Sequence, residues 1–357
     1  DLKYRRNRYW GSDYCIEIEN YENAYATLLY LYLTDESHLR LPNKINGADV
    51  LRIEEGFARN NKNIHSIIFP PYLKEIGRWA FGGSTVCGEL VLPETVNEIG
   101  EFAFASCKQL YGSLVLPKQL KKLGCRCFVE CSGFNSKLHL PENIERLEEG
   151  TFSGCSGIVS IRQIPESICY IGRECFCGCK NLKGEINIPS KIKIIHEYTF
   201  DRCEEITRVN FSIGLNEIRD GAFWGCVKLN YFKFFDNLKK ISDFAFRECS
   251  NLKFQLVLPN SLCYIGHGAF LECGFVGDLI LPEKLEFLGS GAFDTCTNLT
   301  GTLKVSPNLK VIKEHTFSYC GFTGTLSIPE GVEIIDEFAF SHCNKITSVN
   351  LPNTLES

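Results

Sequence analysis

The segment ECFCGCK at 174–180 places Cys175, Cys177 and Cys179 at alternate positions, and CRCFVEC at 125–131 nearly repeats the arrangement with Cys125, Cys127 and Cys131. Cysteines so close together invite a metal. Structural zinc takes four convergent ligands at about 2.0–2.3 Å, usually as spaced C-x-x-C pairs, and neither segment is joined by a second such pair or by a His-x-x-x-His. The seven histidines, His38, His65, His139, His196, His267, His315 and His342, are scattered through the chain, and no HExxH, GxSxG, GxGxxG or phosphate-binding loop occurs. Glu148 and Glu149 are adjacent carboxylates on a solvated corner. These residues predict no catalytic residue, no metal and no cofactor, and a non-enzymatic protein.

A periodic frame explains the cysteines better. Phenylalanine recurs at Phe57, Phe81, Phe104, Phe128, Phe152, Phe176, Phe200, Phe223, Phe246, Phe270, Phe293, Phe317 and Phe340, always 23 or 24 residues apart. A fixed period of this size marks a solenoid of stacked coils. Cysteine follows three residues later in eleven frames, from Cys107 to Cys343, while Asn60 and Ser84 hold the place in the first two. A small residue precedes the phenylalanine, as Ala80, Ala103 and Ala222 do. Cys179 and Cys131 therefore fill the turn slot, and Cys175 and Cys127 the small-residue slot. Cys177 alone of the ECFCGCK cysteines has no assigned place.

The rest of the frame is mechanical. In LVLP at 114–117, Leu114 and Leu116 face one way and Val115 the other, the alternation of a strand. Pro117 ends the ladder because proline has no N–H to donate. Glycine often follows the next Ile or Leu, as at Gly77, Gly100 and Gly124, where it permits either a positive φ or close stacking on the neighbouring coil.

Thirteen frames fill the chain from about residue 38, which predicts two parts, an N-terminal hairpin cap over 1–37 and a solenoid over 38–357. Coils about 4.8 Å apart bring ladder cysteines within disulfide reach, yet parallel packed side chains do not supply the roughly 90° torsion of the bond. Reduced, buried thiols are expected; with 19 cysteines in the chain, not all can pair internally.

Composition excludes other classes. The 357 residues carry a net charge of -5, 44% hydrophobic and 23% charged residues, an ordinary balance for a folded soluble chain. The basic cluster KYRRNRYW at the N-terminus reads as a solvated arm, so no nucleic-acid partner is expected. No apolar run reaches the length of a membrane span. A targeting segment and anchor are expected to lie outside the sequence, which begins at Asp1.

The pattern L-x-L-P-x-x-L-x-x-I-G-x-x-A-F-x-x-C, seen in LVLPETVNEIGEFAFASC at 90–107 and LILPEKLEFLGSGAFDTC at 279–296, resembles the BspA-like, or Treponema-type, leucine-rich repeats. INGADVLRIEEGFARN at 45–60 looks like a widened first repeat. The segments at 211–223 and 234–246 lack the corner proline, and SIRQIP at 160–165 breaks the alternation. The resemblance implies a right-handed α/β leucine-rich-repeat solenoid of about 13 coils, with a parallel concave sheet and short turns or helices on the convex side. It further implies a secreted or cell-surface adhesin-like protein of a host-associated microbe, binding a protein or glycan partner such as host extracellular matrix or another cell. The alternative is an intracellular scaffold for protein–protein interaction, which fits the thiols.

Strand alternation predicts which residues line the open face, about 60 Å long at the strand spacing of a sheet. Candidate binding residues there are Arg208, Tyr231, Lys233, Asn210, Asn187, His139, Gln255 and Lys304. Arg208, Tyr231 and Lys233 form the expected contact centre, because Arg and Tyr dominate interface energetics. His139 has no Ser, Cys or carboxylate that the frame brings within reach and reads as surface.

Overall fold

The protein is described from a computed structural model, which covers residues 4–10, 14–21, 25–33, 37–161 and 163–356. Its coils fall into two compact units, Asp1–Leu182 and Lys183–Ser357.

Most frames contribute two short strands, and these pair in parallel with their equivalents one coil away. In the first unit the LVLP-type strands Leu114–Val115, Lys137–His139 and Ser160–Ile161 form one ladder. The strands that follow the corner, Glu75–Ile76, Glu98–Ile99 and Lys122–Leu123, form another. The second unit repeats this arrangement, with Gly184–Asn187, Ile206–Asn210 and Tyr231–Phe232 in one ladder and Ile194–Ile195 through Phe287–Leu288 in the other. Further along, Leu279–Ile280, Leu303–Lys304, Gly324–Ser327 and Ile346–Asn350 make a four-stranded ladder.

The third side of each coil corrects the α/β expectation. No helix occurs among the described residues, and the A-F-x-x-C segments are successive turns. Around Phe104 the N–H groups of Ala103, Ala105 and Cys107 close turns onto Gly100, Phe102 and Phe104. The alternate N–H groups of Phe102, Phe104 and Ser106 instead reach the carbonyls of Cys125, Cys127 and Val129 in the next coil. This alternation requires left-handed backbone at Phe102 (φ 54) and Ser106 (φ 57), and a left-handed residue within a helix breaks it. Hydrogen bonds that a helix would keep within one coil stitch two coils together.

The core repeats coil by coil. Phe104 is fully buried and stacks on Phe81 and Phe128, both 5.4 Å away between centroids. In the second unit Phe223, Phe246, Phe270 and Phe293 continue the same pattern at 5.2 to 5.5 Å. Such offset stacks add to the roughly 1.5–3 kcal/mol from burying each ring.

Glycine after the strand is there for close approach. Gly100 is not among the left-handed residues, and a β-carbon on it would lie 2.6 Å from the Arg78 nitrogen and 2.7 Å from the Gly77 carbonyl carbon. The missing corner prolines leave the corner intact. Leu120 N–H bonds to the Pro117 carbonyl at 3.0 Å, and Leu215 and Leu238 make the same bond to Ser212 and Phe235 at 3.2 and 3.1 Å. The carbonyl closes the turn, and the proline ring only presets φ.

At the N-terminus β1 (Tyr4–Trp10), β2 (Tyr14–Tyr21) and β3 (Tyr25–Leu33) form an antiparallel meander, and β3 pairs in parallel with Ala48–Ile53. The basic segment expected as a free arm is thus strand β1. Residues 44–49 make a small hairpin, Lys44 opposite Asp49, turned by left-handed Asn46 and Gly47.

Candidate interaction surface

The thiols are framework. Ten ladder cysteines donate S–H to the carbonyl of the phenylalanine one coil earlier; Cys107 reaches Phe81 at 3.2 Å, Cys131 reaches Phe104 at 2.9 Å and Cys273 reaches Phe246 at 3.0 Å. The 18 cysteines from Cys87 to Cys343 are free thiols outside any disulfide, and 13 of them are buried. Burial pushes the Cys107 thiol up to about 11 and the Cys296 thiol up to about 12, because the low-dielectric interior disfavours the thiolate. Cys175 and Cys179 point into the core and Cys177 is half-buried. Among the described residues no three His, Cys, Asp or Glu side chains are arranged to hold a metal.

His38 Nδ1 lies 2.7 Å from Ser66 Oγ across the paired strands Ser37–Arg40 and Ile64–Ile68, a pair that the repeat frame alone did not suggest. Both residues are rungs of one sheet face, and His38 is exposed.

The predicted face residues divide between the units. His139 lies in the first, on strand Lys137–His139, half-buried in a shallow depression with Glu94, Lys118 and Glu142. The other seven lie in the second unit. Register places Glu185 beside Arg208, Asn187 beside Asn210, and Arg208 beside Tyr231. The Arg208 guanidinium carbon sits 4.6 Å from the centre of the Tyr231 ring, and its Nε lies 3.5 Å from Glu185 Oε1. Asn210 Nδ2 donates to Asn187 Oδ1 at 2.7 Å. Beneath them the inward residues of this stretch are aromatic: Phe211, Phe232 and Phe234 are all buried.

Gln255 and Val257 are exposed as predicted, but residues 254–257 form no strand, which corrects the expectation of a continuous row. Phe254 lies 5.5 Å from both Tyr231 and Phe232. Its coil and the preceding one enclose an open depression of about 400 Å³, floored by Phe232, Phe234 and Phe254 and rimmed by Lys233, Gln255 and Val257. Val257 is 75% exposed and Ile280 53%. Lys304 contacts Glu283 at 3.9 Å, whereas Lys233 lies over the Phe235 ring, 5.6 Å away, with no carboxylate partner among the described residues. The repeat frame does not single out Phe254, because its slot holds glycine, serine, arginine or tyrosine in other coils.

No helix among the described residues is long and apolar enough to cross a membrane. No curated protein sequence matches the chain. Solved structures share the fold at low identity. A leucine-rich repeat protein from Bacteroides ovatus is 20% identical, with a TM-score of 0.61 over 99% of this chain and 94% of that one. The pneumococcal vaccine antigen PcpA is 15% identical, with a TM-score of 0.54 over 98% and 99% of the two chains. A leucine-rich cell surface protein from Faecalibacterium prausnitzii is 18% identical, with a TM-score of 0.50 over 98% and 89%. The model of the BspA type leucine rich repeat region, a unit of six copies, matches residues 52–183, 134–253, 184–300 and 253–357. With that repeat running through the larger part of its length, the chain belongs to the BspA-type leucine-rich repeat family.

Proposed function

We propose that this protein is a non-enzymatic binding module that engages a protein partner through the open strand face of its second unit. Arg208, Tyr231 and Lys233 form the centre, with Asn187, Asn210, Gln255 and Lys304 around it. The observation that carries this reading is the exposed cluster of a guanidinium, a tyrosine, an unpaired lysine and two aliphatic side chains on a rigid aromatic floor. Interfaces concentrate their energy in Arg and aromatic anchors held in place before binding. The mixed charge of the face does not suit nucleic acid. His139, in the first unit, belongs to a separate patch of the same kind.

The setting we infer is the surface of a bacterium, with adhesion to host matrix or to another cell as the role; the cell-surface name of the Faecalibacterium structure supports it. Free thiols favour the second reading, an intracellular scaffold, but thiols buried in a ladder are shielded in either compartment.

The test is solid-phase binding of the wild type and a Tyr231→Ala/Lys233→Glu variant to a panel of purified host matrix proteins. At least one matrix protein bound by the wild type and lost tenfold or more in the equally stable variant is the expected result. Equal binding by both proteins, or binding by neither, contradicts the proposal.

A further inference from the structure

The coil at 251–258 differs from its neighbours. Two residues after the apolar residue that closes the cysteine turn, several frames place a left-handed glycine, Gly88, Gly112, Gly184, Gly277 and Gly324, with φ of 97, 80, 94, 79 and 76°, while others place Ser136, Ser160, Arg208 or Tyr231. The equivalent residue in NLKFQLVLP is Phe254, which lies outside the left-handed region. The coil loses the strand that its neighbours keep, Tyr231–Phe232 on one side and Leu279–Ile280 on the other. In exchange the ring of Phe254 is wedged edge-on against Phe232 and Phe275, at 5.5 and 5.6 Å, and floors the depression. A coil that gives up its strand and gains a pocket is the kind of local irregularity expected at a functional site.

The lining selects the class of ligand. Its floor is aromatic and takes a bulky apolar side chain. Lys233 on the rim has no carboxylate partner among the described residues, unlike Arg208 and Lys304. Sugar recognition would need an open aromatic face. Tyr231 is bracketed by Arg208 of the preceding coil and Phe254 of the following one, and Asn210 is spent on Asn187. We propose that the depression beside Phe254 captures a bulky apolar side chain of a protein partner, next to an Asp or Glu that pairs with Lys233. This rests on the reading of the face as a protein-binding surface and specifies what it selects.

The test pans a phage-displayed random dodecapeptide library on the full-length protein and measures the enriched peptides against Phe254→Gly, Lys233→Glu and Arg208→Glu variants. Phe254→Gly places at this slot the residue that Gly277 and Gly324 hold in theirs, so it removes the floor with a residue the frame accepts elsewhere. The expected result is enrichment of Phe, Leu or Ile beside Asp or Glu. Affinity then falls at least tenfold in Phe254→Gly, and Lys233→Glu turns the preference toward Lys or Arg. Peptides that bind through Arg208 but ignore Phe254→Gly would overturn this inference and leave the wider face standing. Absence of enrichment, or indifference to all three variants, would overturn both. Wild-type binding to a glycan array that Phe254→Gly abolishes, without peptide enrichment, would overturn the assigned class.

Discussion

The thiol of Cys131 donates to the carbonyl of Phe104 at 2.9 Å, and the same carbonyl takes the N–H of Cys107 at 3.1 Å. One buried acceptor is thereby satisfied twice, once within its coil and once from the next. Cysteine suits the slot because it packs as a small hydrophobe and still offers a weak donor.

Cys131→Ala removes the donor and leaves a small void. A loss of about 1–2 kcal/mol is expected in denaturant unfolding. Cys169→Ala, at an exposed position, should stay within about 0.5 kcal/mol. Equal small effects would show that the slot bears no load.

The same burial makes the fold sensitive to alkali. A ladder thiol titrates near 9.0 when unfolded, and Cys107 at about 11 when folded. Between these values the unfolded chain has lost the proton that the native chain keeps, so stability falls as pH rises. It is fully present below 9.0 and falls by up to about 1.4 kcal/mol per pH unit for each such thiol. Thermal unfolding followed from pH 7 to 11 should show a melting temperature that is flat below 9 and then drops steeply. A flat curve throughout would contradict thiol burial.

Gly100→Ala puts a β-carbon 2.6 Å from the backbone of the preceding coil. Overpacking of this kind costs about 1–3 kcal/mol, and circular dichroism melts of the variant measure it. A neutral substitution would mean that the coils are further apart than described.

Much of this was legible in the sequence because the repeat is a repeated physical necessity. Phe104 and Cys107 recur with their equivalents because every coil must bury one ring and satisfy one carbonyl. The turns were harder to read. Left-handed backbone falls on Trp79, Phe102, Arg126 and Tyr198, none of which announces it, although Gly150, Gly221 and Gly268 occupy the same slot and carried the signal. Gly100 left positive φ and close stacking both open, since one sequence cannot distinguish a backbone constraint from a neighbour's position. Phe254 was not legible, because its slot holds several residue types across the frames and the loss of the strand there is a property of packing.

The central claim is that the cysteines build the frame and leave recognition to the open face. Counting maleimide-reactive thiols before and after guanidinium unfolding, under anaerobic handling and without reductant, tests it most directly. Cys87, Cys125, Cys169, Cys177 and Cys263 are exposed or half-buried and should label readily in the folded protein, while the 13 buried thiols label slowly. All 19 cysteines should label after unfolding. Rapid labelling of the buried set in the folded protein, or a large deficit after unfolding, would contradict the account.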